Sequence, residues 1–431
     1  MHSSQTASTV WPPPPDFVPV SSKVEGISVY APRSHEEAQE ETRSFKCPHC
    51  GGVTTYSASQ QKLTCPHCGR TQPIEAQAVG RRAGEHEFTL ETMEKARRGW
   101  GRERTELRCE SCGAAVTVDP EALTHTCAFC GSNRVLARDT QGDALRPMTL
   151  IPFTVDQQAC RQSVNHWLGQ GWMHPAELSQ GRSLCELSGV YLPYWTFDAT
   201  VRAHWKAEVG HQETRRYYSD GQWKTRTVTI WRWESGRIRL PVDDHLIPGT
   251  THVSRVLLQG IEPFDLSELV TYEPGYLAGW QAKVYDVPLP QAWEEAKEEI
   301  RAAAKRACRQ DIRSGHVRNL RVTADFGQER WRYILLPVHL ASYRFDGRTF
   351  QVMVNGQTGA VAGQKPVAWL KVWLVVAAIL APGALASLIG LATLPFAGIG
   401  MMALILGLIL FAAGLVGGFV VLRKARASEE L

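Results

Sequence analysis

The longest unbroken hydrophobic pattern lies near the end of the chain. Val372–Leu422 runs for 51 residues without an Asp, Glu, Lys, Arg or His. A helix needs roughly 20 apolar residues to cross hydrocarbon, so the run predicts two passes, Val372–Leu391 and Ile399–Leu422. Thr393-Leu394-Pro395-Phe396 supplies the turn between them. A helical hairpin in a soluble core would keep a polar stripe, and this run has none. Pro382-Gly383 predicts a kink in the first helix, and Gly414 and Gly418 have small-xxx-small spacing suited to close packing in the second.

Upstream, residues 139–365 mix helical and alternating patterns. Thr154 with Gln157 forms a capping-box pattern ahead of a helix facing its core with Ala159, Cys160, Val164, Trp167 and Leu168. Gly189–Val201 reads as an extended buried segment, and Lys224–Leu240, with Val228, Ile230, Trp231 and Trp233, as a strand. A helix over Gln291–Arg313 follows Pro290, its core face Trp293, Ala296, Ile300, Ala303 and Ala307. Glutamates load its start and Lys305, Arg306, Arg309 and Arg313 its end, which complements the helix dipole. Trp331–Phe345, Arg348–Val354 and Gln357–Gly363 then predict a three-strand meander turning at Asp346-Gly347 and Asn355-Gly356. Leu192-Pro193 and Leu336-Pro337 open similar extended runs, each after a helix, as in an internal duplication.

The most specific chemistry precedes this domain. Cys47-Pro-His-Cys50 and Cys65-Pro-His-Cys68 are separated by 14 residues, and so are Cys109-Glu-Ser-Cys112 and Cys127-Ala-Phe-Cys130. Two residues between thiolates let one tight turn aim both sulfurs at one ion, and two such turns complete a tetrahedral site. Glycine follows each pair at Gly51, Gly69, Gly113 and Gly131, where positive φ brings backbone N–H groups toward sulfur. The spacing predicts two structural Zn²⁺ ions with closed shells, held by Cys47, Cys50, Cys65 and Cys68 and by Cys109, Cys112, Cys127 and Cys130. His49 and His67 lie within the turns as bystanders, and Cys160, Cys185 and Cys308 read as small core residues.

Charge orients and bounds this picture. Lys365 and Lys371 precede the apolar run and Arg423, Lys424 and Arg426 follow it, so the positive-inside tendency puts both termini in the cytosol, with the chain in the inner (cytoplasmic) membrane. The reducing side is also where eight zinc-binding thiols belong. Net charge is only +4, from 47 basic and 43 acidic residues, so no polyanionic partner is demanded overall. A nucleic-acid contact is open through the first ribbon and Arg97, Arg98, Arg102 and Arg104, although Glu85, Glu87, Glu91, Glu94 and Glu103 share that linker.

The expected fold class is α+β, with two small Cys₄ zinc ribbons, a mixed α/β domain with an antiparallel meander, and a C-terminal transmembrane helical hairpin. Residues 1–42, with Pro12–Pro15 and the acidic run Glu36–Glu41, read as a disordered tail. Ribbon 1 spans 43–72, a charged linker 73–107, ribbon 2 108–138, the mixed domain 139–365, the two spans 372–391 and 399–422, and a basic tail 423–431. No secretory signal is visible at the N-terminus. No phosphate loop, H-E-x-x-H or G-x-S-x-G motif occurs, and no small-molecule substrate is evident. The best catalytic candidate is Asp243-Asp244-His245, read as a metal-dependent hydrolase site, against which stands the commoner reading of a turn-forming Asp pair.

The chain resembles a bacterial family of membrane-anchored, double zinc-ribbon proteins. The resemblance rests on Cys47–Gly51, Cys65–Gly69, Arg98–Gly101, Cys109–Ala114, Cys127–Ser132, Gly189–Ala199, Pro241–Asp244, Glu262–Leu269, Pro274–Trp280 and Val354–Gly359. Relatives of this type are often labelled primosomal protein N′ (replication factor Y) or superfamily II helicases. That label implies ATP-driven unwinding, which a chain lacking a phosphate loop does not support. What the resemblance implies is a non-catalytic, membrane-associated adaptor for protein partners, linked to envelope-stress or flotillin-like systems.

Overall fold

The computed structural model describes residues 45–82, 86–87, 105–109, 115–118, 135–139, 145, 147–180, 187–219, 221–393 and 399–430, together with 17–20 and 29–32. The chain divides into two units, Met1–Ser44 and Phe45–Leu431. In the first, β1 (Phe17–Val20) and β2 (Val29–Pro32) pair antiparallel. That short ladder stands inside the segment expected to be a tail, where Val18, Val20, Val29 and Tyr30 give the β-branched and aromatic residues strands favour.

The second unit begins with a three-stranded sheet, β3 (Thr55–Ser57), β4 (Lys62–Thr64) and β5 (Thr71–Gln72). Short strands β6 (His86–Glu87), β7 (Thr105–Cys109), β8 (Ala115–Val118), β9 (Val135–Asp139) and β10 (Thr149–Leu150) follow. The body is built on β11 (Ser188–Ser219), β12 (Gln222–Pro248) and, after β13 (Val270–Thr271) and β14 (Gln281–Lys283), β15 (Val317–Phe345). β11 pairs antiparallel with β12 from Tyr194↔Pro248 to Ser219↔Gln222 and with β15 from Ser188↔Leu340 to Val209↔Val317. The meander closes with β16 (Arg348–Asn355) and β17 (Val361–Gly363). Asp346 and Gly347 both take positive φ (49° and 74°), as the two-residue turn requires. At the second turn Asn355 instead accepts from the N–H groups of Gln357 and Thr358, so the loop is longer and β17 starts at Val361.

The large sheet is buried unevenly. In Val190–Phe197 and Trp331–Val338 both faces are covered, so the sequence is continuously apolar except for Thr196 and Arg332. Beyond Asp198 only one face of β11 is covered, giving the alternation Val201, Ala203, Trp205, Ala207 and Val209. Its cover is a helix, the third of five described here.

Those helices are α1 (Gln157–Gly169), α2 (Arg255–Gly260), α3 (Leu289–Asp311), α4 (Trp369–Ala392) and α5 (Ile399–Glu430). α1 is capped by Asp156, whose Oδ1 accepts from Ala159 N at 2.8 Å, while the Thr154 hydroxyl donates to Gln357 O. α3 buries Trp293, Ala296, Ile300, Ala304 and Cys308 rather than Ala303 and Ala307, because Ala304 and Cys308 continue the i, i+4 row from Ile300. α3 is amphipathic; α4 and α5 are apolar all round and largely exposed, and both are long and apolar enough to cross a membrane.

The apolar pair packs through glycine. A Cβ on Gly383 would lie 2.4 Å from Phe411 N, one on Gly390 2.3 Å from Leu404 N, and one on Gly407 2.4 Å from Ser387 N. Gly414 approaches Ile379 O in the same way, and Gly418 approaches Val376. The small-residue spacing of Gly414 and Gly418 is therefore used to close the hairpin itself. α4 continues through Pro382, and α5 continues past Leu422 to Glu430, so the basic tail is helical.

The body holds both ends of this pair. Ala368 N donates to Met173 O, Lys365 N to Ser428 O, and Lys371 Nζ to His174 O. Arg348 pairs with Glu429 at 3.0 Å, and Trp369 Nε1 donates to the same carboxylate. Lys365 Nζ donates to the carbonyls of Trp167 and Gln170 at the C-terminal end of α1. A cation there caps carbonyls that the helix leaves unpaired. Burial holds this lysine's pKa down at about 8.

Candidate metal centre

Two nearly identical turns build the site. Cys47 N donates to Gly52 O at 2.7 Å and Gly51 N back to Cys47 O at 2.8 Å. Cys65 N donates to Arg70 O at 2.9 Å and Gly69 N to Cys65 O at 2.9 Å. Gly51 and Gly69 take φ of +73° and +72°, the left-handed conformation expected from their positions after each pair. Cys47 Sγ lies 3.6 Å from Cys68 Sγ, and Cys50 Sγ 3.4 Å from Cys65 Sγ.

All four sulfurs fall within 4.8 Å of one another. Tetrahedral coordination with metal–sulfur bonds of 2.3 Å puts ligand sulfurs about 3.8 Å apart, so the cluster has the size that a Cys₄ ion needs. Cys47 and Cys65 are buried, while Cys50 and Cys68 are exposed.

The backbone prepares two of these thiols for ionisation. N–H groups of Cys50 and His49 bring the Cys47 pKa down to about 6, and those of Cys68 and His67 lower that of Cys65. The Gly52 N–H acts in the same direction on Cys50. Hydrogen bonding among the sulfurs, led by Cys65, together with burial outweighs it and pushes Cys50 up to about 12. A metal ion would require all four to give up their protons. A Cβ on Gly52 would sit 2.5 Å from the His67 ring, so that imidazole packs over the turn. Neither His49 nor His67 belongs to the ligand cluster.

The cysteine-bearing sheet docks onto the body through Tyr56. Its backbone N–H donates to Ala278 O and its hydroxyl to Phe153 O, and Trp280 Nε1 donates to Tyr56 O. The Tyr56 ring meets Tyr276 edge-on at 5.2 Å. Burial raises the Tyr56 pKa, which keeps this hydroxyl a donor. The thiol cluster is therefore fixed to the body beside the main sheet.

Of the second cysteine set, Cys109 ends β7, while Cys112, Cys127 and Cys130 lie outside the described residues, as do Arg97, Arg98, Arg102 and Arg104. The strands around that set pair antiparallel, β7 with β8 and β9, and β8 joins the main sheet by pairing with β14.

Asp243, Asp244 and His245 come together with residues that are remote in sequence. The β11–β12 register shifts between Phe197 and Ala199, leaving Asp243 and Asp244 opposite Asp198 in a bulge where Asp244 has φ +54°. Asp244 N donates to Asp198 Oδ1 at 2.5 Å. The buried guanidinium of Arg332 pairs with Asp244 and donates to Arg81 O at 2.6 Å and Thr196 Oγ1 at 3.1 Å. Oxygens of Asp198, Asp243 and Asp244 lie within 4.8 Å of one another, and Arg332 already supplies the positive charge that a cation would bring.

His245 Nε2 points to Glu299 at 3.0 Å, and Glu299 also accepts from Arg255 at 2.7 Å. Burial lowers the His245 pKa and raises that of Glu262 beside it in a cleft of about 290 Å³. Asp243, Asp244 and His245 all line this cleft, but Asp244 is paired with Arg332 and His245 with Glu299, in two separate networks. The partners Asp198 and Arg332 had a visible signal, since each is the lone charge in or beside a continuous apolar run.

Over 343 residues the chain is 26% identical to Uncharacterized protein YdjG of Bacillus subtilis (strain 168), a match covering 76% of this chain and 92% of that protein. No family model and no solved structure matches.

Proposed function

We propose that this chain is a non-catalytic adaptor, anchored in a membrane by its C-terminal helical hairpin and presenting zinc ribbons to protein partners. The observation that carries this reading is the closed cluster of Cys47, Cys50, Cys65 and Cys68, fixed to a body whose other end grips the apolar helix pair. Four thiolates fill a tetrahedral shell and leave no position for water or substrate, so this zinc has a structural role. The second cysteine set has the same spacing, and the reading assigns it the second ion.

The loops around such an ion are rigid and exposed, which suits recognition of a partner. Arg332 locks the only carboxylate cluster found among the described residues, which disfavours metal-dependent hydrolysis there. Basic residues on both sides of the hairpin favour cytosolic termini.

Elemental analysis of the detergent-purified chain should give about two zinc ions, and Cys47→Ser with Cys65→Ser about one. Iron in place of zinc, or the same zinc content in the double variant, would overturn the metal assignment. For the adaptor, cross-linking in native membranes should yield discrete mixed adducts that the double variant loses. Adducts of the chain with itself alone would end that reading.

A further inference from the structure

Past Val209 the ribbon leaves its cover. Gly210–Ser219 pairs with Gln222–Trp231 as a two-stranded finger, and β15 has ended. Alternation assigns its faces. Odd-numbered residues of β11 lie on the side of α3, so even-numbered ones and their cross-strand partners share the opposite face. On the finger that opposite face carries Tyr218 with Trp223 and Gly210 with Trp231, and next to these, where β15 still pairs, Glu208 with Trp233.

Trp223 is 72% exposed, Tyr218 63% and Trp233 52%. Large rings left this open mark an interaction surface rather than a fold requirement. Three hydroxyl residues, Thr225, Thr227 and Thr229, space the rings along the same face.

The same face is strongly basic. Towards α3, where β15 joins, it presents Arg202, Lys206, Arg237, Arg239, Arg318 and Arg321 against the acids Glu208 and Asp325. Lys206, Arg237, Arg321 and His204 line an open groove of about 410 Å³. Cations also flank the rings, with Arg318 4.2 Å from the Trp231 centroid and Lys206 5.3 Å from that of Trp233. Gly210 has no side chain to hold Trp231 off the sheet, and the ring settles across it.

We propose that this face binds single-stranded nucleic acid, with phosphates against the basic groove and bases on Trp231, Trp233, Trp223 and Tyr218. An extended sheet face that interleaves cations, hydroxyls and exposed rings is what an unpaired strand requires, because every base has a stacking face and every phosphate a charge. An acidic protein helix would instead seek a continuous apolar groove with a basic rim, and here hydroxyls and charges separate the rings. The chain's own bilayer is a poor match. The finger tip closes at the opposite end of β11 from the strand ends that meet α4 and α5, about 100 Å along the strand at roughly 3.3 Å per residue. This function goes beyond the adaptor reading and rests on neither cysteine set.

The test uses the full chain in zwitterionic detergent with fluorescein-labelled 12-mers of oligo-U and oligo-dT, followed by anisotropy. Binding should weaken with salt with a log–log slope of about 2 to 3, as expected for three or four phosphates on a single strand. Arg237→Glu with Arg321→Glu should lower affinity at least tenfold and flatten the slope. Trp231→Ala with Trp233→Ala should lower it about tenfold and leave the slope unchanged. Far-UV circular dichroism and zinc content should be those of the wild type in both.

Binding unaffected by both pairs would overturn the assignment, moving it to the cysteine segments or Arg97–Arg104. Absence of binding to either 12-mer at micromolar concentration would overturn it too. Displacement by poly-L-glutamate at equal charge concentration would give the face to an acidic protein. Tryptophan-dependent capture of phosphatidylglycerol vesicles by nanodisc-held chain, without oligonucleotide binding, would give it to a lipid surface.

Discussion

β11 behaves as two different strands joined end to end. Its first ten residues, Ser188–Phe197, lie between two cores, while its last eight, Gln212–Ser219, are exposed or only half-buried. The antiparallel pairing with β12 runs from Tyr194 in the first of these stretches to Ser219 at the end of the last. What changes is side-chain chemistry, from Val190, Tyr191, Leu192 and Trp195 to Glu213, Arg215, Arg216 and Tyr218. An isolated two-stranded ribbon is marginal in water, so the distal half is held by continuity with the proximal half and by cross-strand pairs. Tyr218 meets Trp223 edge-on at 5.4 Å, and Arg226 lies 5.6 Å from the Tyr217 ring. A long strand can thus be a core element at one end and an instrument at the other.

Substitutions at the two ends should separate the halves sharply. Trp195 is fully buried and its indole N–H donates to Val287 O at 3.0 Å, so Trp195→Ala should cost about 3–5 kcal/mol. Thermal unfolding of the detergent-held chain, followed by tryptophan fluorescence, measures this. A loss under about 1 kcal/mol would mean that the proximal half is no core.

Arg332→Met should come close behind, at about 3–5 kcal/mol, because it strands buried carboxylates at Asp244 and Asp198. Adding Asp244→Asn should recover part of that loss. A double variant no better than the single one would show that the pair is not the dominant contact.

pH acts on the proximal half at an intermediate scale. Burial lowers the pKa of His339, whose Nε2–H donates to Val155 O at 2.8 Å. The unfolded chain, with an ordinary His pKa of about 6.5, then binds the proton first. The stability that this neutral imidazole contributes is complete above that pH and is lost as pH falls towards the lower folded pKa, by up to ~1.4 kcal/mol per unit. Unfolding midpoints between pH 7.5 and 5.5 should therefore fall less in His339→Gln than in the wild type, with zinc content followed in parallel. Equal slopes would remove His339 as a cause.

The smallest effect belongs to the finger. Trp223→Ala should shift stability by no more than about 0.5 kcal/mol, since the ring loses little burial. A shift comparable to that of Trp195→Ala would erase the contrast between the halves.

Much of this contrast can be read in the residues. The unbroken Val190–Phe197 and Trp331–Val338 announce burial on both faces, and the later period-two alternation announces one covered face. The first half of β15 escapes that reading. Asn319 and Gln328 take positive φ at register shifts, so the alternation of Val317–Arg330 breaks twice. The Cys47–Cys68 cluster was legible because its geometry is local, set by turns of four residues and a fixed interval. Its attachment to the body was not, since Tyr56 finds Phe153 and Ala278 across long stretches of chain. Arg332 stood out as a lone charge, but its pairing with Asp244, like that of Glu299 with His245, was hidden for the same reason. A strand register and a helix crossing decide them, and neither is written within one segment.

The two-ended grip on the helix pair has a mechanical consequence. A domain tied to an anchor by one linker swivels, whereas this one is clamped at Ala368 and Lys365 on one helix end and at Ser428 and Glu429 on the other. Tilting the helices must therefore tilt the sheet with them. Because the strands of that sheet run on unbroken into the finger, a small rotation at the clamp becomes a long sweep at the tip. The protein is geared as a lever, with its short arm in the apolar pair and its long arm ending at Trp223.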